Sequence, residues 1–153
     1  MVSDMTASEV QKERTKALEA QADELLKACG VCSLASVNEK GYPRICTLAI
    51  VHADSFHDLY FISSKRSELN GKVTHFEKND KASVCYTKGC DSVTLIGTVR
   101  FVTDRETQAA LWREEHRAFF KNGIDDPKFR LLHFHTLEAT FWIQGKFRTC
   151  KYR

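Results

Sequence analysis

The sequence predicts a mainly β protein, a small and largely antiparallel β-barrel of six or seven strands with peripheral helices. Two observations carry this. β-rich apolar runs follow one another at short intervals with turn-forming clusters between them, and only two long helical patterns occur, one before the first strand and one after the fifth. A doubly wound parallel sheet would need a helix after nearly every strand, and the hairpin pattern over residues 31–52 contains none.

Taken in order, Ser8-Glu9-Val10-Gln11 fits an S-x-x-Q capping box. Val10, Leu18, Leu25 and Leu26 recur near helical spacing until Gly30 offers a stop, so a first helix is expected over residues 9–27. The period then changes. Cys32, Leu34 and Val37, followed by Ile45, Leu48, Ile50 and Val51, lie on either side of the turn cluster Asn38-Glu39-Lys40-Gly41 and read as a β-hairpin. A polar loop over residues 53–58 leads to a third strand over residues 59–63. A short helix is expected over residues 71–77, then a strand over 82–87, a turn at Lys88-Gly89-Cys90-Asp91 and the longest strand over 93–102. Thr103-Asp104-Arg105-Glu106 repeats the capping pattern ahead of a helix bearing Ala109, Leu111, Trp112 and His116, expected to stop near Asn122-Gly123. Two more strands, over 129–135 and 139–144, precede a short polar tail over 145–153.

The length of 153 residues suits one domain over residues 1–153, since a second would leave each half too small to bury a good core. No window approaches the roughly 18 consecutive apolar residues of a membrane span, and the N-terminal residues are charged where a signal peptide would be apolar. A cytoplasmic protein with no membrane partner is expected. Lys and Arg total 23 against 20 acidic residues, and they are spread along the chain, which argues against nucleic acid as a partner because such binding needs a concentrated basic face. Six cysteines without a secretory signal read as reduced thiols.

The densest anion-binding candidate joins Gly41-Tyr42-Pro43-Arg44, Ile62-Ser63-Ser64 and Lys72. A phosphate monoester wants a guanidinium, an ammonium, a hydroxyl and helix N-terminal N–H groups, and this stretch offers all four. The ordered pieces G-Y-P-R-x-x-x-L, L-Y-F-I-S-S, G-K-V, N-D-K-A-S-V-C-Y, I-G-T-V, I-D-D-P-K-F and T-F-W-I-x-G resemble the FMN-binding split β-barrel family, the pyridoxamine 5′-phosphate oxidase-like superfamily, and within it the short general stress protein members. The likeness covers residues 31–145. It implies FMN as cofactor, a small-molecule substrate, and a homodimer with a flavin in each of two clefts at the subunit interface.

Carried over by position, Arg44 and Lys72 resemble the phosphate-binding cations of the family. Ile45, Cys46, Thr47 and Leu48 resemble the strand along the isoalloxazine ring, and Ile62, Ser63 and Ser64 the positions that follow the third strand. Where the family often has Ser-Arg-Lys, this chain has Asn70-Gly71-Lys72 after a longer loop, so Lys65 or Arg66 could supply the missing cation. Trp142 is placed near the cofactor cleft. Oxidases acting on pyridoxamine phosphate carry a Lys five positions after the strand Arg, which here is Ala49, and their C-terminal Arg-x-His motif is absent, so vitamin B6 synthesis is disfavoured.

Cys29-Gly30-Val31-Cys32 matches C-x-x-C, but at a helix C-terminus, where the dipole disfavours thiolate. Zinc held by Cys29, Cys32, His133 and His135 is conceivable, against a reading of two packed thiols. His52, His57, His75 and His116 have no fixed companion, and Trp112, Phe119 and Phe120 are expected to pack their helix on the barrel. No catalytic residue is singled out and no metal is expected. The functional expectation is an FMN-dependent oxidoreductase, reduced by a nicotinamide cofactor and passing electrons to a small acceptor. The alternative is a non-catalytic flavin- or haem-binding module for storage or sensing.

Overall fold

The computed structural model describes residues 4–66 and 71–153. Helix α1 (Ala7–Cys29) starts two residues earlier than its periodicity suggests, because Thr6 rather than Ser8 forms the capping box. The Glu9 N–H donates to Thr6 Oγ1 at 3.2 Å and the Thr6 N–H to Glu9 Oε2 at 3.1 Å. Gly30 ends it at φ 64°, a left-handed position that glycine takes without strain.

The strands are β1 (Val31–Val37), β2 (Pro43–Ala49), β3 (His52–Ser55), β4 (Asp58–Ser64), β5 (Lys81–Lys88), β6 (Asp91–Val102), β7 (Phe129–Ile143) and β8 (Lys146–Lys151). Every pairing is antiparallel, in the order β2-β1-β5-β6-β7-β4-β3, with β8 added to β7. The two ends of that order, β2 and β3, are consecutive in the chain and only Ile50 and Val51 separate them. The Ile50 N–H donates to Gly30 O and the Val51 N–H to Tyr60 O, each at 2.9 Å, so this short link ties one edge of the sheet to the other. The sheet therefore curls into a split barrel.

Four sequence expectations change. The loop expected over 53–58 contains β3, whose polar residues satisfy an edge position instead of a core one. The two strands expected over 129–144 are one long strand, interrupted by a bulge: Ile96 faces Glu138 and Gly97 faces Thr136, leaving Leu137 as the extra residue. The bulge passes the far edge of β7 from β4, which pairs with 129–135, to β8, which pairs with 138–143. The polar tail over 145–153 is largely β8, in which partly buried and exposed side chains alternate. The helix expected to run to residue 122 ends at Leu111: α3 (Arg105–Leu111) is capped by Asp104, and Trp112 and Arg113 turn extended before a 3-10 turn over Glu114–Ala118. The break lets Trp112 pack edge-on to Phe129 and Phe120, at 5.6 and 6.4 Å between ring centroids.

One face of α1 (Leu18, Ala22, Leu25, Leu26) packs with inward side chains of the strands, among them Leu34, Phe61, Val84, Leu95, Phe134 and Phe141. Tyr86, buried here, donates its hydroxyl to Ala22 O at 3.0 Å. A smaller cluster of Phe120, Phe129 and Leu131 lies on the outer side of β7, under Trp112 and Ile124. Helix α2 (Lys72–Lys78), near its expected bounds, packs on β1 and buries Val73, His75 and Phe76, with His75 Nδ1 2.7 Å from Ser36 Oγ.

Candidate functional site

A cleft of about 650 Å³ opens between β2, β4, α2 and the segment after α3. Its wall is apolar, built from Leu48, Ala49, Val51, Ile62, Val73 and Phe120, and its polar groups are Thr47, Ser63, Ser64, Thr74, Arg66, Lys72 and His116. No carboxylate lines it among the described residues. Two cations and four hydroxyls beside an apolar wall form a donor set for a flat ligand with an anionic group.

Of the residues anticipated from the sequence, Thr47, Leu48, Ile62, Ser63, Ser64 and Lys72 meet in this cleft. Arg44, Ile45, Cys46 and Trp142 are not in its lining. Arg44 stands opposite Ser36 on the β1–β2 pair, on the face shared by Cys46 and Leu48, whereas Ile45 is 71% exposed on the other face. Trp142 lies at the far end of β7 against Phe147, 44% exposed. Asn70 and the loop residues 67–69 lie outside the described residues. Of Lys65 and Arg66, Lys65 pairs with Glu77 of α2, and Arg66 lines the cleft.

The sequence reading missed His116 and Phe119 as cleft residues. Phe120 packs as expected, but Phe119 is 79% exposed at the cleft. The signal available was only the adjacency of two phenylalanines, of which a single 3-10 turn can bury one.

The C-x-x-C pair behaves as two packed thiols. Cys29 donates its thiol to Thr87 O at 3.3 Å, and Cys32 sits in the core, where burial pushes its pKa up to about 12. His133 and His135 lie on the outer face of β7, away from that core, and both hydrogen-bond to Asp58 Oδ1, at 2.7 and 2.9 Å. These three ligating atoms fall within 4.8 Å of one another, a spacing a metal could use. Arg100 gives a different account. Its Nε–H donates to His133 Nδ1 at 3.2 Å, so the imidazole proton sits on Nε2 and is given to Asp58, which leaves no lone pair there for a cation. The cluster is thus a hydrogen-bonded tie joining β4, β6 and β7, with Tyr60 stacked on His133 at 4.6 Å.

Burial pushes the Asp58 carboxyl up, but the hydrogen bonds it accepts from His135 and His133 outweigh it and hold the group below the ordinary carboxylate range. A carboxylate lowered in the folded state adds stability that is complete above its unfolded value near ~3.9 and disappears as pH falls through the lower folded value. Asp58→Asn should therefore cost about 1–3 kcal/mol at neutral pH, the scale of a buried group left without its partner. That loss should shrink below about pH 4, which urea titrations at pH 7 and pH 3 would read.

These features define a class: a split antiparallel barrel with a cationic, apolar-walled ligand cleft. Residues 18–151 match the family model described as pyridoxamine 5′-phosphate oxidase like, and the chain belongs to that family. Among solved structures it is similar to a Clostridium acetobutylicum protein related to general stress protein 26 of B. subtilis, with 22% identity and a TM-score of 0.75 over 89% of this chain and 94% of that one. It is also similar to a nimC/nimA family protein from Clostridium acetobutylicum, with 25% identity and a TM-score of 0.64 over 91% and 99% of the two chains. A heme binding protein from Mycobacterium smegmatis shares 16% identity and a TM-score of 0.68 over 88% of this chain, which spans 57% of that one. No curated protein matches the sequence. No described helix is long and apolar enough to cross a membrane.

Proposed function

We propose that the protein is an FMN-binding oxidoreductase, a flavin reductase working with a nicotinamide donor and a small acceptor. The observation that carries this is the composition of the cleft: Arg66 and Lys72 with Ser63, Ser64 and Thr74 suit a phosphate, and Leu48, Val51, Ile62 and Val73 suit a flat apolar ring. Bound FMN would supply the electron transfer; the chain's residues hold the phosphate, orient the ring and exclude water. Ala49 lines the cleft with a methyl group where pyridoxamine phosphate oxidases place a lysine, which supports a substrate other than pyridoxamine phosphate.

The working unit is a homodimer. On the outer face of the sheet, Ile45, Ala35, Ser83 and Ile96 form one register row across β2, β1, β5 and β6, and Thr47, Ser33, Cys85 and Thr94 form the next. Neither row carries a charge. An uncharged face of small side chains bearing exposed Ile45 and Ile96 suits a second copy of itself. Thr47 belongs both to that face and to the cleft, so the cleft opens onto the dimer surface, and Trp142 lies on the same outward side.

The similarity to a heme binding protein keeps one second reading, a module that holds haem without turnover. The absorption spectrum of the purified protein, followed by anaerobic addition of NADH, separates the two. Flavin bands that bleach with NADH are the expected result. A haem band would replace this proposal with the second reading, and flavin that NADH leaves oxidised would leave a flavin-binding module without reductase activity.

A further inference from the structure

The segment over residues 113–120 is pinned at several points and, besides buried Phe120, brings His116 and Phe119 to the cleft. Arg113 donates a guanidinium N–H to Val51 O at 3.1 Å, fastening the segment to the link between β2 and β3. Arg117 pairs with Glu114 at 2.9 Å and stands over the Trp112 ring at 5.9 Å. Phe120 is buried against Phe129, with ring centroids 5.3 Å apart. Phe119 is held in place by these anchors and yet remains exposed, although a large aromatic side chain left to itself would gain by burial.

His116 has a fixed tautomer. Its Nδ1 accepts the backbone N–H of Arg113 at 3.0 Å, which requires a lone pair at Nδ1 and so places the proton of the neutral ring on Nε2. Burial lowers its pKa below the ordinary imidazole value; Glu115 opposes this, and Arg113 adds to the lowering. The cleft therefore contains an uncharged N–H donor beside an open aromatic face, on a different element from Arg66 and Lys72.

We propose that His116 and Phe119 form the subsite for the second ligand of the cleft, a neutral planar heteroaromatic ring bearing an acceptor oxygen. A carboxamide of the nicotinamide type fits it: the ring lies on Phe119 and the oxygen accepts from His116 Nε2. An anionic ligand would instead favour a cation at this position, and the arginines of the same segment, Arg113 and Arg117, are engaged with Val51 and Glu114. This inference rests on the flavin reading of the same cleft, with the phosphate cations at Arg66 and Lys72 reserved for the first ligand.

The test measures nicotinamide binding by saturation-transfer NMR and FMN binding by fluorescence quenching, on FMN-loaded and FMN-free protein. His116→Phe and Phe119→Ala should each weaken nicotinamide by about five- to tenfold, the scale of one hydrogen bond or one aromatic contact. His116→Gln, which keeps an N–H donor, should stay within about twofold of wild type, and FMN affinity should change by less than about twofold in all three. Unchanged nicotinamide binding in His116→Phe, or an equal loss of FMN, would overturn the subsite. If wild-type protein takes up no FMN, the flavin reading falls by itself. Nicotinamide binding to the FMN-free protein then decides this inference, which stands if affinity depends on His116 and fails if it does not.

Discussion

Replacing Arg66 or Lys72 by Ala is expected to weaken FMN by about 1.5–3 kcal/mol each, the scale of a charge-assisted hydrogen bond. Riboflavin, which has no phosphate, should lose far less. The contrast between the two ligands matters more than either loss. A residue that merely shapes the cleft would weaken both equally, whereas a phosphate partner acts on FMN alone. Arg66 and Lys72 line the cleft, and among the described residues no carboxylate lines it with them, which suits a ligand that carries negative charge. Arg44→Ala is the informative comparison. Arg44 lies on the strand pair opposite Ser36 and outside the cleft lining, so its effect within a single chain should be the smaller. Fluorescence quenching titrations with both ligands provide the measurement, and equal losses of FMN and riboflavin would show Arg66 and Lys72 to be structural.

Gly97→Ala is expected to cost the fold about 3 kcal/mol or more, or to prevent folding. A methyl group at this position would stand 2.0 Å from the His135 carbonyl oxygen and 2.9 Å from the Phe134 ring. The backbone of β7 comes this close because the bulge at Leu137 bends it toward β6, and β7 is held on its other side by β4 and β8. Gly89→Ala makes the control. Gly89 has φ 61°, where a side chain is strained, but a methyl group there meets nothing within 4 Å, so a loss of about 1 kcal/mol is expected. Urea midpoints of the two variants should differ accordingly, and similar midpoints would mean that β6 and β7 can spread apart at little cost.

The strands that alternate apolar and polar residues were legible in the sequence. β1, β4, β5 and β6 each bury every second residue, and period-two patterning reports that arrangement directly. β3 and β8 were not legible, since both lie at an edge, carry few apolar residues and owe their place to a neighbouring strand. The end of α3 was misjudged for a tertiary reason: Leu111, Trp112 and His116 fit one helical face, yet Trp112 gains more by leaving the helix to meet Phe120 and Phe129. For the site, residues that follow one another along β2 and β4 could be found from motif order. Val51, His116 and Phe119 could not, because a hydrogen bond between Arg113 and Val51, 62 positions apart, brings them together.

The arrangement of strand pairs also sets the order in which the molecule can assemble. β1 with β2, β3 with β4, β5 with β6 and β7 with β8 are neighbours along the chain and need only short loops to close. The pairing of β4 with β7 is different, joining Asp58 to His135 across 77 positions, and its loop-closure entropy must be met before its contacts form. The cleft takes one wall from β4 and another from the segment that precedes β7, so it comes into being only with this late step. A ligand of the cleft meets an almost finished fold. Its effect should fall on the rate of unfolding, holding the barrel shut, and leave the rate of folding nearly untouched.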